Sequence, residues 1–142
     1  MSQATQPPSP SPSPAPRHLL VVDDEPHIGL LLRPEFEARG FRVSVARSLA
    51  DARATVDTAD VMLLDLHLPD GSGIDLLREL RGRPRTRHLP ILVLTGESGD
   101  GMLEDVRALG ASLLTKPFSP TKLASRLTAL MSGGAPVVED AP

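Results

Sequence analysis

Residues 61–81 read VMLLDLHLPDGSGIDLLRELR. Four apolar residues in a row, Val61 to Leu64, run into Asp65. Residues 65–73 read DLHLPDGSG, and then come Ile74, Leu77 and Leu80 at helical spacing. A continuous apolar run has no wet side, which suits a strand covered on both faces. The stretch therefore predicts a buried strand that ends in a carboxylate and turns back into an amphipathic helix over 73–81.

The same unit recurs on either side. Strand-like runs lie at 19–22 (LLVV), 41–45 (FRVSV, alternating), 91–94 (ILVL, opened by Pro90) and, more weakly, 112–115 (SLLT). Helical periods lie between them. Residues 26–39 carry Ile28, Leu31, Leu32 and Phe36, and 48–56 open on Ser48 with Asp51 three residues on, a capping-box-like start. Residues 102–109 stop at Gly110, a good helix C-terminus. The last helix opens Ser119-Pro120 and presents Leu123, Leu127, Leu130 and Met131. Pro34 falls inside the first helix, where it removes a hydrogen bond and predicts a kink or a shorter helix.

Five strands alternating with five helices require parallel strands joined by crossovers. Right-handed crossovers covering both faces give a doubly wound three-layer α/β domain. The domain is expected over 18–131, about 115 residues and near the common domain size. Residues 1–17, MSQATQPPSPSPSPAPR, offer no large apolar side chain to offset their ordering entropy and predict a disordered tail. The Gly/Pro-rich, mildly acidic end at 132–142 predicts another.

Composition removes several function classes. No cysteine is present, which excludes disulfides, thiolate metal sites and thiol nucleophiles. With three Phe and no Tyr or Trp, the core is aliphatic. A net charge of −3 disfavours direct nucleic-acid binding. No apolar run reaches the ~20 residues of a membrane span, and no secretion signal is visible, so the expected location is the cytoplasm.

In sheets of this kind, sites form at the carboxyl ends of the strands. Reading past each strand gives Asp23-Asp24-Glu25, then Asp65, then Thr95-Gly96, then Lys116-Pro117. Each has a plain alternative. The aspartate pair can cap a helix, Asp65 can be a turn residue, Thr95 a strand-end hydroxyl and Lys116 a solvated charge. Their joint occurrence on one rim favours a site. Three gathered carboxylates repel one another, and a hard divalent cation such as Mg2+ resolves the repulsion while bridging to phosphate. Lys116 adds a positive charge for a phosphoryl oxygen, and Thr95 a hydroxyl. Asp65 is the natural nucleophile for carboxyl-phosphate chemistry.

The segments VVDDEP (21–26), LLDLHLPDGSG (63–73), PILVLTG (90–96) and LLTKPFSP (113–120) together resemble the receiver domain of two-component response regulators. The resemblance spans about 19–131. It implies a flavodoxin-like (βα)5 fold with a five-stranded parallel sheet in the order 2-1-3-4-5. It implies Asp65 as phosphoacceptor, and Mg2+ held by Asp23, Asp24, Asp65 and the backbone carbonyl of His67. It implies Thr95 and Lys116 as phosphoryl-contacting groups, with Pro117 after a cis peptide. The phosphodonor would be a sensor histidine kinase or phosphotransfer protein, and the aspartyl phosphate would hydrolyse by itself. The chain would be a signalling domain rather than a turnover enzyme, a monomer or weak dimer acting on an output protein by contact. Leu113 departs from the family, which usually has Tyr or Phe there, and implies a read-out by another packing change.

Competing readings separate on sequence features. A receiver cut from a DNA-binding regulator would continue past Met131 into a helix-turn-helix, which the remaining residues cannot form. A phosphate-silent module would lack some of Asp23, Asp24, Asp65, Thr95 and Lys116. A phosphatase would pair two aspartates around one residue, where this chain has Asp65-Leu66-His67, and a dehydrogenase would carry G-x-G-x-x-G after the first strand. Glu97 is a candidate for tuning hydrolysis. The arginines at 78, 81, 83, 85 and 87 are expected to be solvated on the rim opposite the site.

Overall fold

The five apolar runs lie side by side in one parallel sheet, as the alternation requires. A computed structural model of the chain describes residues 17–96, 100–115, 119–132 and 138–139. The elements run β1 (Arg17–Val22), α1 (Pro26–Ala38), β2 (Phe41–Ala46), α2 (Leu49–Thr55), a 3-10 turn (Val56–Thr58), β3 (Val61–Asp65), β4 (His67–Leu68), β5 (Gly71–Ser72), α3 (Gly73–Arg81), β6 (Ile91–Thr95), α4 (Asp100–Ala108), β7 (Ser112–Thr115), α5 (Pro120–Met131) and β8 (Val138–Glu139). The main sheet has the order β2-β1-β3-β6-β7-β8, all parallel, and β4 and β5 form a small antiparallel hairpin. Taken over the five predicted strands, this is the expected order.

Alternation along each strand divides the core in two. Leu20, Val22, Met62, Leu64 and Val93 face α2, α3 and α4, where Ala52, Leu77, Leu80 and Val106 meet them. Leu19, Val21, Leu63, Leu92 and Leu94 face α1 and α5, where Leu32, Phe36, Leu123 and Leu127 meet them. Each fully buried leucine contributes on the order of 1.5–3 kcal/mol. With helices on both faces, β1, β3 and β6 have no wet side, which is why their sequences do not alternate with polar residues.

Three expectations need correction. Leu31 was placed on the apolar stripe of α1, yet it is half exposed, and the buried stripe is Ile28, Leu32 and Phe36. Of the two outcomes expected at Pro34, the shorter helix does not occur, and α1 continues to Ala38. Pro34 is exposed, so the carbonyl it deprives of a partner lies on the side open to water. Finally, within the 132–142 segment read as tail, Val138–Glu139 pairs with β7 as a sixth strand. The N-terminal segment 1–16, Glu97 and residues 116–118 lie outside the described residues.

The start of α2 is capped from two directions. Ser48 Oγ accepts from Asp51 N–H at 3.1 Å, as the capping pattern predicts. The Asp70 carboxylate, from the hairpin turn, accepts from Leu49 N–H at 2.8 Å and Ala50 N–H at 3.2 Å. The Asp70 carboxyl is thereby held below its ordinary value of 3.8, chiefly by the Leu49 bond; some desolvation opposes this, and Ala50 N–H and the Arg53 charge add to it. A depressed carboxyl stabilises the fold where it is ionised. Its contribution is complete above 3.8 and fades as pH falls through the lower folded-state value. Amide exchange in an acid series, corrected for intrinsic rates, is expected to show Leu49 and Ala50 opening before the β3 amides. Simultaneous opening of both would contradict this cap.

Candidate functional site

Strand register brings the carboxylates together. Val22 pairs with Leu64, so Asp23 and Asp65, each one residue further on, stand side by side past the ends of β1 and at the end of β3. Asp65 pairs in turn with Leu94, which puts Thr95 on the next position of β6, and Thr95 pairs with Thr115 on β7. Lys116 follows Thr115 in sequence and lies outside the described residues, as does Pro117.

Carboxylate oxygens of Asp23, Asp24 and Asp65 all lie within 4.8 Å of one another. Asp23, Asp65 and Thr95 are buried, whereas Asp24 is exposed, so the cluster opens to solvent on one side. Local geometry fixes the two buried groups. Asp23 Oδ1 accepts from Glu25 N–H at 2.8 Å, and Asp65 Oδ1 accepts from His67 N–H at 3.0 Å. The N-cap of α1 is Glu25, which makes no side-chain cap bond. The Asp23 side chain therefore serves a tight turn rather than the free N–H groups of the helix, which weakens the plain capping reading of the aspartate pair.

The loop after Asp65 doubles back closely. Gly73 N–H donates to Leu66 O at 2.9 Å, and α3 begins there, with Ser72 Oγ accepting from Ile74 N–H at 3.2 Å. A β-carbon on Gly73 would stand 2.6 Å from Asp65 O and 3.0 Å from Leu66 Cα. Glycine is required at this position by the close approach of two backbones.

The donor set suits a hard cation. All three side chains offer oxygen, and three carboxylates at this spacing repel unless a positive charge offsets them. An oxygen-only, open-sided cluster fits Mg2+, which keeps several of its waters.

Sequence reasoning missed two features. Asp70 was given no role, but its carboxylate bridges 21 residues back to α2. Arg81 was assigned to a solvated basic stretch and is instead half-buried. Its guanidinium donates to the carbonyls of Leu109 (2.7 Å), Leu89 (2.8 Å), Thr86 (3.1 Å), Arg87 (3.1 Å) and Gly110 (3.3 Å), stapling two loops at the pole opposite the carboxylates. Burial of the charge pushes the Arg81 guanidinium below its ordinary range. Of its neighbours, Arg83 pairs with Glu79, and Arg78 with Asp75 and Asp105. Only the i,i+4 or i,i+3 partners were legible beforehand; backbone carbonyls carry no sequence signal.

The family model described as "Response regulator receiver domain" matches residues 19–128. The chain belongs to that family. Among curated relatives, it is 38% identical over 125 residues to the phosphate regulon transcriptional regulatory protein PhoB of Rhizobium meliloti (strain 1021), covering 84% of this chain and 54% of that protein. It is 36% identical over 119 residues to the probable transcriptional regulatory protein TcrX of Mycobacterium tuberculosis, covering 82% and 50%. The receiver chain thus spans about half the length of the curated relatives it matches. Among solved structures, the non-phosphorylated HemR receiver domain of Leptospira biflexa superimposes with a TM-score of 0.74 at 30% identity, covering 82% of this chain and 94% of that one. Chemotaxis response regulator CheY4 of Vibrio cholerae gives 0.72 at 28%, covering 80% and 98%. The chain is therefore the receiver domain of a two-component response regulator. Among the described residues, no helix is long and apolar enough to cross a membrane.

Proposed function

We propose that this receiver takes a phosphoryl group on Asp65, from a phosphohistidine of a sensor histidine kinase or phosphotransfer protein, and passes the signal on by protein contact. The observation that carries the proposal is the meeting of Asp23, Asp24 and Asp65 within 4.8 Å at one end of the sheet. The receiver domain is taken to run over 18–131, and its location to be the cytoplasm.

In this reading an Asp65 carboxylate oxygen attacks phosphorus in line. The phosphorus–nitrogen bond of the donor breaks, and its electron pair returns to the imidazole, which takes up a proton. Hydrolysis reverses the charge state: a water oxygen attacks phosphorus, the bond to the Asp65 oxygen breaks, and carboxylate, inorganic phosphate and a proton result. The His67 N–H bond limits rotation of the Asp65 carboxylate. Asp23, Asp24, Asp65 and the carbonyl of His67 would hold Mg2+, which supplies positive charge for the phosphoryl oxygens. Thr95 would donate its hydroxyl to the phosphoryl group, and Lys116 its ammonium, as the family resemblance implies. Leu30 and Leu31, at 69% and 51% exposure, stand in the first two turns of α1 and offer an apolar surface to a partner.

Leu113 is buried at 1% exposure on the face of β7 toward α4. It has no ring to swing and no hydroxyl to reach the site. In this reading the read-out runs through a different packing change around Leu113.

Intact mass after incubation with Mg2+ and a small-molecule phosphodonor tests the proposal. One phosphate adduct is expected, absent when Mg2+ is chelated. No adduct under either condition would leave only a phosphate-silent interaction module.

A further inference from the structure

We infer that Asp70 is a positioning residue for the metal site, acting through the hairpin that carries His67; the inference rests on the Mg2+ reading proposed above. The hairpin β4–β5 is only two residue pairs long, His67 with Ser72 and Leu68 with Gly71. Two-stranded pieces of this length do not hold their own position in water. The His67 N–H bond to Asp65 ties the near end of the hairpin to the site, and the turn at its far end needs a fastening of its own.

The fastening lies at the turn. Both carboxylate oxygens of Asp70 are engaged by successive amides of α2, Oδ1 by Leu49 and Oδ2 by Ala50. A carboxylate at a helix N-terminus also gains from the helix dipole. Next to it, Gly71 has φ +149°, and a β-carbon there would come within 2.8 Å of the Leu49 side chain. The turn is thus pressed onto the first residue of α2 by both its polar and its non-polar side. At the other end, Gly73 is locked against Leu66. The His67 carbonyl sits between these two anchors, three residues before Asp70.

Removing the Asp70 carboxylate is expected to free the turn and misplace that carbonyl. The same helix supplies a control. Ser48→Ala removes the other cap of α2, the bond to Asp51 N–H, and leaves the hairpin untouched. A merely structural role for Asp70 predicts that both variants act alike.

The experiment is calorimetric titration of Mg2+ into the full chain, for wild type, Asp70→Ala, Asp70→Asn and Ser48→Ala, with melting curves alongside. Loss of a group that orients a metal ligand weakens affinity about tenfold or more, and that is the expectation for Asp70→Ala. Asp70→Asn keeps one acceptor oxygen and falls between it and wild type. Ser48→Ala lowers the melting temperature and leaves Mg2+ affinity unchanged. If Asp70→Ala fails to fold, Asp70→Asn against Ser48→Ala decides. Equal Mg2+ affinity in wild type and the Asp70 variants overturns the inference alone, as does an equal loss in Ser48→Ala. A wild-type chain that binds no Mg2+ overturns both the inference and the reading beneath it.

Discussion

Asp65→Asn incubated with Mg2+ and a small-molecule phosphodonor gains no phosphate, while the wild-type chain gains one. The substitution is nearly isosteric. The asparagine carbonyl oxygen still accepts from His67 N–H, so the turn that aims residue 65 survives. What goes is the nucleophile, because an amide oxygen lacks the charge that makes a carboxylate attack phosphorus. The fold is expected to hold or to gain slightly, since one member of a repelling trio is removed. A melting temperature at or above wild type, together with complete loss of the adduct in the mass spectrum, is the paired result. An adduct of undiminished extent would move the acceptor to Asp23 or Asp24 and sink the role given to Asp65.

Gly73→Ala is expected to destabilise the receiver by about 2–3 kcal/mol, the upper range for overpacking a tight site. The added carbon would stand 2.6 Å from the carbonyl oxygen of Asp65 and 3.0 Å from Leu66 Cα, and both are backbone. No side-chain rotation relieves the contact, so either the start of α3 lifts or the end of β3 shifts. For a domain of this size the melting temperature should fall by roughly 8–15 °C. The phosphorylation rate should fall further than stability alone predicts, because the displaced atoms belong to the residue that reacts. Gly82→Ala provides the comparison. Its nearest neighbour would be Glu79 O at 3.5 Å, an ordinary contact, and its φ of −90° suits any residue. Alanine there should be neutral or mildly stabilising, through the unfolded chain. Similar behaviour of the two variants would mean that the backbone around Asp65 yields more easily than its contacts imply.

The strands were legible because their burial on two faces leaves unbroken apolar runs, and the crossovers those runs require gave a doubly wound layer; the order of the strands came with the family resemblance. The site was legible for a related reason: parallel register carries each strand's last residue to the same rim, so Asp23, Asp65 and Thr95 meet without any long-range signal in the sequence. Side-chain bonds to backbone are different. Asp70 reaching the amides of α2, and Arg81 reaching five carbonyls, depend on where loops come to rest, and loop residues look alike whether or not they are bonded. Leu31 misled because α1 packs on the sheet along a narrower stripe than its composition offers. Val138–Glu139 was hidden by its surroundings, two strand-forming positions in a segment whose glycines and prolines read as tail.

That short strand sets the terms on which the β7 edge of the sheet can be approached. Leu113 and Leu114 already pair with Val138 and Glu139, which residues 133–137 join to α5. A segment of the same chain competes with a local advantage in effective concentration over any strand from outside. A strand offered from outside, at the far lower concentrations of soluble proteins, has to displace this resident before it can pair with Leu113 and Leu114. Partners that rely on side chains from α4 and α5 face no such competition. The receiver thus discourages edge-to-edge pairing, the usual hazard of an open sheet, with two residues of its own chain.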